Sequence, residues 1–468
     1  MRRNTLLATL VASLLTLPAA AQNTDIESLS GLQFNFGNPG ARSLGMGGAF
    51  IGLADDASAA EANPAGLTIL RKPELSIEGR NYLEEQVLTT SGTFPDLTRT
   101  AFNHYSNRVE VTFGSVVYPI KNFTLAAYYH SPLHNVGAGE VIPVRNEFSG
   151  RVEQDVPTFH LPRNGSAPVS AAQCAEIRRA ANNDPFACRQ FVVNPFLTAV
   201  DVEQRTYGIG GAWQVHPKFS VGATARYQTF REAAFTYRLT PQFAFQSISV
   251  QATGQARESD GELELEEESD VTFTAGVKWN PTDRISVGAV YKMGPSFVAP
   301  TFIANANTGF DYVNLADTVF HVPDVAGLGV SIRPIPVLTV NLDVVHVAYS
   351  NLTDDFVSTI REVREDIEDP FQIEDGVEWH LGAEYFFSTR IPFALRAGYW
   401  RDPAHSIEWR GGLGTAESVG AAILYPEGEA QNHWSIGGGL AWPRFQIDLA
   451  YDNSEHFKVG SISVVTRF

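Results

Sequence analysis

The sequence has little cysteine, few bases and, past its first 21 residues, no long apolar run. A helical span needs roughly 18 consecutive apolar residues, so helical membrane crossings are excluded from residue 22 onward. Lys and Arg number 34 against 52 Asp and Glu, a net charge of −18. Removing Arg2 and Arg3 with the leader described below leaves 32 bases against 52 acids, or −20. So acidic a chain, without a basic cluster, is a poor partner for nucleic acid. Its acidity fits a solvated exterior or divalent-cation contact at a cell surface. Motifs for cofactor chemistry are missing as well. Gly45-Met46-Gly47-Gly48 lacks both the spacing and the preceding strand of a phosphate loop. The acidic run Glu258–Asp270 lacks calcium-loop spacing and reads as a solvated hairpin tip. No cofactor and no metal site are expected.

What is present begins with a leader. Arg2 and Arg3 precede the apolar stretch Leu6–Leu17, Pro18 and Ala19-Ala20-Ala21. This is the pattern of a secretory signal peptide, residues 1–21, cut before Gln22. No Cys follows the cut, which argues against a lipoprotein. In an oxidising compartment, Cys174 and Cys188 are expected to pair as a disulfide. The bond would close a loop of about 15 residues, worth roughly 3 kcal/mol in the chain-entropy model. Ser170 and Gln173 form a capping box for a short helix to about Ala181 that carries Cys174.

From residue 73 onward, period-two alternation recurs. Leu338, Val340, Leu342 and Val344 oppose Thr339, Asn341 and Asp343; Phe393, Leu395, Ala397 and Tyr399 oppose Ala394, Arg396 and Gly398. Phe445, Ile447, Leu449 and Tyr451 oppose Gln446, Asp448, Ala450 and Asp452. Such alternation gives each strand two unlike faces, as in a sandwich or, inverted, in a membrane barrel. Fourteen strands are expected, at 73–82, 109–118, 123–131, 201–215, 219–236, 263–280, 284–297, 322–335, 337–350, 376–389, 392–401, 432–443, 444–453 and 457–468. Short turns alternate with long connections at 83–108, 132–200, 237–262, 298–321, 351–375 and 402–431. That lopsidedness is the outer-membrane rule, with turns periplasmic and long loops extracellular. An even count puts both termini in the periplasm. Trp213, Trp279 and Trp442 flank the turns as an interfacial girdle would. The last strand alternates up to a terminal Phe468, the type of signal read by the barrel-assembly machinery. The fold class is therefore all-β: a transmembrane antiparallel barrel of about fourteen strands, residues 73–468, in the outer membrane among its lipid and lipopolysaccharide.

Residues 22–72 do not read as strands. Small residues dominate Asn38–Leu70, which packs a backbone closely, and Asn63-Pro64-Ala65-Gly66 reads as a turn. Fourteen strands enclose a lumen wide enough to leak unless something fills it. A compact segment ahead of the first strand is a natural hatch. This segment, with Asp55–Ser58 and the Asn63-Pro64-Ala65 motif, resembles the FadL/TodX family of outer-membrane transporters. So do Val322–Leu352 and Glu378–Pro403, each a strand, short turn and strand. The resemblance implies a fourteen-stranded barrel with an N-terminal hatch. It also implies passive transport of hydrophobic compounds, long-chain fatty acids foremost: capture by outer loops, a lumenal pocket, then hatch-gated exit sideways beside a kinked third strand. The expected third strand ends at Pro132, which limits pairing above it.

Arg226 and Arg396 fall on polar parities beside small neighbours and are candidates for a carboxylate head group. Glu384 or Asp448 could instead neutralise them. Three other readings stand beside transport. A diffusion porin does not need a hatch. A secretion-associated scaffold would share the glycine-rich start and the Asn63-Pro64-Ala65 turn while binding exported proteins. A hydrolase would need a nucleophile motif beside His346, His380 or His433, and none accompanies them, so no enzyme is expected.

Overall fold

In the computed structural model, the structure describes residues 36–89, 101–141, 144–145, 154–155, 158–163, 169–192, 196–239, 245–256, 263–305, 313–353, 371–411, 428, 430–455 and 457–468. The signal segment, residues 22–35 and part of the acidic run, 258–262, lie outside them.

Among the described residues fourteen antiparallel strands close a ring. They are β1 (Glu74–Thr89), β2 (Ala101–Ile120), β3 (Phe123–Val141), β4 (Phe196–His216), β5 (Phe219–Leu239), β6 (Glu268–Thr282) and β7 (Ile285–Lys292). The ring continues through β8 (Val325–Ile335), β9 (Leu338–Val347), β10 (Gly376–Phe387), β11 (Phe393–Asp402), β12 (Gln431–Ala441), β13 (Phe445–Asn453) and β14 (Phe457–Arg467). Each pairs with its neighbour, and β14 pairs with β1 from Glu74↔Arg467 to Glu84↔Phe457. At the closure the Phe468 N–H donates to the Pro73 carbonyl at 3.1 Å.

The two faces of the wall decide between sandwich and membrane barrel. Along β10, Val377, Trp379 and Leu381 point out, Trp379 half exposed at 50%, while Glu378 and His380 point in at 5% each. Along β13, Leu449 is 56% exposed and Asp448 1%. Apolar outside and polar inside is the inverse of a soluble core, and only a bilayer rewards it. Trp213 and Trp279 stand exposed beside the short turns, Trp213 stacked on Phe123 at 5.7 Å.

The strand order follows the expectation, but the boundaries differ in an instructive way. β2, β3 and β4 run several residues further toward the long loops than alternation suggests. The expected strand 284–297 is two pieces, because Gly294-Pro295 breaks it between Lys292 and Ser296. The expected loops 237–262 and 298–321 contain strands Phe245–Ala252, Ser296–Asn305 and Val313–His321, which extend the top of β5 into a crown. In the loop after β3, α3 (Ala171–Ala180) starts at Ser170 with both bonds of its capping box, and Cys174 is bonded to Cys188. The first two helices belong to the segment before β1: α1 (Ala41–Leu44) and α2 (Ala59–Ala62), followed by a 3-10 turn, Pro64–Ile69.

Candidate functional site

Inward parity on the wall supplies glycines where the segment before β1 passes. Gly222 faces Gly276 in register, Gly288 faces Gly329, and Gly382 faces Gly398. A Cβ at Gly222 would lie 2.5 Å from the Ala65 nitrogen, and one at Gly276 2.2 Å from Asn63 Oδ1. Added at Gly288 it would meet the Ile51 carbonyl oxygen at 2.3 Å, and at Gly382 the Met46 oxygen at 2.4 Å. The backbone at Met46–Gly47, Ile51–Gly52 and Pro64–Ala65 therefore lies directly against the glycines of β5, β7, β8, β10 and β11, and the Asn63 side chain fits over Gly276 of β6.

Polar bolts fix this contact. Asn63 is fully buried; its amide donates to the carbonyls of Ile51 (3.1 Å) and of Val277 on β6 (3.2 Å), and its oxygen accepts the Ala65 N–H (3.2 Å). Pro64 opens the 3-10 turn, and the Ala65 carbonyl accepts from Ser220 of β5 at 2.8 Å. Asp343 of β9 accepts the N–H groups of Phe50 (2.6 Å) and Ile51 (2.7 Å). Lys278 of β6 donates to the carbonyls of Leu53 and Ala54. Arg42 of α1 joins Asp55 to Glu384 of β10, the latter at 2.9 Å. Burial lowers the Arg42 pKa, but Asp55 and Glu384 overcome this and hold it well above the ordinary range.

Beyond α2, toward the long-loop end, is a cavity of about 40 Å³, whose lining includes the polar Glu61, His130, Arg226 and Lys292 and the apolar Pro132, Leu133, Met293 and Val322. Lys292 of β7 lies 3.1 Å from Glu61 Oε1, and Arg226 of β5 lies 3.8 Å from the same oxygen. Tyr128 of β3 donates to the other oxygen of Glu61. Arg226 also donates to Thr274 (3.2 Å) and the Met293 carbonyl (3.1 Å), and its buried Nε is unpartnered. Burial pushes the Glu61 carboxyl up, but Lys292 and then Arg226 hold it down at about 2. Phe230, stacked on Phe297 at 4.7 Å, belongs to an apolar cluster with Leu133, Val322 and Val325 of the cavity lining.

The wall is incomplete beside this cavity. Pairing between β2 and β3 runs from Ile120↔Phe123 to Phe113↔His130 and stops, although both strands continue. Past that point β2 pairs only with β1, and β3 only with β4. Both strands carry an irregularity at the parting: β1–β2 shifts between Glu78 and Gly79, leaving Thr112 unmatched, and β3–β4 shifts between His130 and Leu133, around Pro132. Such bulges bend strands and end pairing, and proline lacks the N–H a ladder needs.

The candidates named from sequence thus fall in four places. Asn63, Pro64 and Ala65 sit at the glycine-lined wall. Arg226 lines the cavity. Arg396 is bound by Glu384 (2.7 Å) and Asp448 (2.8 Å), away from the cavity lining. Cys174 and Cys188 staple the loop between β3 and β4. Sequence reasoning alone misses Glu61, Lys292, Tyr128 and His130. Lys292 does carry a signal, since it ends the inward row Gly288, Val290, Lys292; Glu61 lies in a segment without strand parity and gives none.

Residues 189–410 match the model of the family "Outer membrane protein transport protein (OMPP1/FadL/TodX)". Among solved structures the chain is similar to a Pseudomonas aeruginosa FadL homologue, at 14% identity and TM-score 0.60 over 93% of this chain and 100% of that one. It is also similar to the P. putida toluene transporter TodX, at 14% identity and TM-score 0.57 over 93% and 99%. The Ralstonia pickettii toluene transporter TbuX gives 14% and 0.56 over the same shares. At such identity these likenesses show the fold. No curated protein matches the sequence.

Proposed function

From the match of residues 189–410 to the FadL/TodX family of outer-membrane transport proteins, we propose that the chain is a passive carrier of long-chain fatty acids. The short turns and both termini face the periplasm, and the long loops face outward. An amphiphile enters from the loops, rests its tail against the apolar cluster around Phe230 and Phe297, and sets its head in the cavity. Displacement of the hatch, residues 22–72, frees the route, and the parting between β2 and β3 lets the ligand leave sideways into the bilayer. Each CH₂ kept out of water is worth roughly 0.8 kcal/mol, so a lateral path suits a long tail better than an aqueous one.

One observation carries this reading. Among the residues lining the cavity two cations, Arg226 and Lys292, face a single carboxylate, Glu61. One positive charge is left over, with a buried unpartnered Arg226 Nε beside it, and the cavity of about 40 Å³ has room for a small head group. A ligand carboxylate completes the charge balance by charge-assisted hydrogen bonds.

The test compares binding of oleate and its methyl ester, identical in tail, to purified protein. Arg226→Met weakens oleate by about tenfold or more, as loss of one charge-assisted bond implies, and leaves the ester unchanged. Arg396→Ala changes neither. A second reading rests on Glu61 already engaging both cations: the cavity would then take a neutral compound. Relatives of this fold are described as toluene transporters and as a monoaromatic hydrocarbon channel. Equal binding of oleate and ester to the wild-type protein, with toluene competing for both, would favour that reading and refute the head-group site.

A further inference from the structure

Above Phe113–His130 no backbone bond joins β2 to β3, yet side chains meet there. Glu110 of β2 places Oε2 2.8 Å from His134 Nδ1 of β3. Its other oxygen lies 3.2 Å from Arg108 Nε, on the same strand. The second nitrogen of His134 faces Asp201 of β4 at 3.9 Å. Asp201 is bound in turn by Arg231 of β5 at 3.2 Å, and Arg231 also lies 3.9 Å from Glu203 of β4. The parting is thus bordered by Arg108 and Glu110 on one side and by His134, Asp201, Glu203 and Arg231 on the other.

We propose that the Glu110–His134 pair is the latch that sets the width of the lateral opening; what passes through that opening rests on the transport reading above. Each strand has already spent its other edge, β2 on β1 and β3 on β4, so the facing edges are held by this side-chain bond where a ladder would normally run. A ladder breaks as a unit, whereas one partly exposed bond opens and recloses by rotamer motion. That is the difference between a wall and a gate. Position ties the latch to the cavity as well. Pro132 and Leu133, immediately before His134, line the cavity. Movement of His134 away from Glu110 therefore moves one cavity wall along with it. Arg108 packs over the Tyr82 ring at 4.8 Å and fixes the Glu110 side of the pair against β1, so β3 is the moving side.

The described residues contain no free cysteine, so introduced thiols can be labelled alone. Nitroxides at Val109→Cys on β2 and Tyr207→Cys on β4, both exposed on the outer face, lie on opposite sides of the β2–β3 boundary, Val109 beyond its last pair and Tyr207 level with Tyr129 next to that pair. Pulsed EPR on the full chain in lipid nanodiscs, without ligand, reads their separation. A control pair, Ile209→Cys with Val277→Cys, spans β4 to β6, where the ladders are continuous. Glu110→Ala and His134→Ala each broaden the first distribution and shift it to longer distances, leaving the control unchanged. The exchange Glu110→His with His134→Glu returns it to the wild-type form, which loss of general packing would not allow. An unchanged distribution in both alanine variants, or broadening that the exchange fails to reverse, overturns the latch. Because no ligand is present, the EPR result is independent of oleate binding, which judges the transport reading alone.

Discussion

Replacing Asn63 with Ala removes a fully buried connection between hatch and wall. The side chain makes three hydrogen bonds at zero exposure: one to the wall at the Val277 carbonyl, and two that hold the hatch's own shape, at the Ile51 carbonyl and the Ala65 N–H. A neutral bond contributes roughly 1 kcal/mol net, and a buried group left unpaired costs about 1–3 kcal/mol more. Water can reach some of the vacated volume, so a loss of about 2–4 kcal/mol in hatch docking is expected. At roughly 1.4 kcal/mol per factor of ten, local opening of the hatch rises by roughly 30- to 700-fold. Amide hydrogen exchange followed by mass spectrometry over Gly40–Leu70 reads this change directly. Amides of β8 to β13 should exchange as before, and the shift in gel mobility between unheated and boiled protein should persist, because the ring is closed without Asn63. Oleate uptake should fall at the same time. Wild-type exchange across the hatch together with wild-type uptake would refute the reasoning, since a residue bonded in this way cannot be removed silently if the bonds hold anything.

Two further outcomes follow from the same contacts. Gly276→Ala places a methyl 2.2 Å from Asn63 Oδ1 and should loosen the hatch as Asn63→Ala does, whereas Gly460→Ala, with nothing within 4 Å, should be silent in the same exchange experiment. Glu61 is held at about 2 against an ordinary 4.5, so its share of hatch docking, roughly 3 kcal/mol from the shift, is present above pH 4.5 and lost as pH falls toward 2. Hatch exchange should accelerate through that window in the wild type, and Glu61→Gln should remove that dependence; identical pH profiles would count against the Glu61–Lys292–Arg226 arrangement.

Much of the barrel is legible in the sequence because the bilayer imposes a strict demand on one face. Val377, Trp379 and Leu381 must be apolar while Glu378 and His380 need not be, and that contrast is visible without coordinates. Beyond the bilayer the demand lapses. On β4 the outward row passes from Tyr207 to Arg205, Glu203 and Asp201, and alternation fades, so the expected start at 201 falls short of the actual start at Phe196. The crown strands read as loops for the same reason. At the site, Arg226 and Arg396 are visible as inward cations, and Glu384 and Asp448 as possible partners. Which arginine faces a cavity depends on where the hatch lies, and no periodicity encodes that. Pro132 marks the end of something in β3. That β2 also parts there, at Thr112, follows from register with β1 and is invisible in β2 alone.

A closed sheet behaves mechanically as a hoop, and a hoop under tension yields where a join stops while the strands on either side of it run on. Here β14 meets β1 along the whole stretch from Glu74 to Glu84, while β2 and β3 are joined only from Phe113 to Ile120 and then continue, unjoined to each other, to Ala101 and Val141. Lateral pressure from the surrounding lipid, or swelling of the contents, therefore concentrates strain on the β2–β3 join and away from the seam where the two ends of the chain were sewn together. The lateral exit proposed above therefore lies away from the place where the barrel was closed, and its opening does not load that seam.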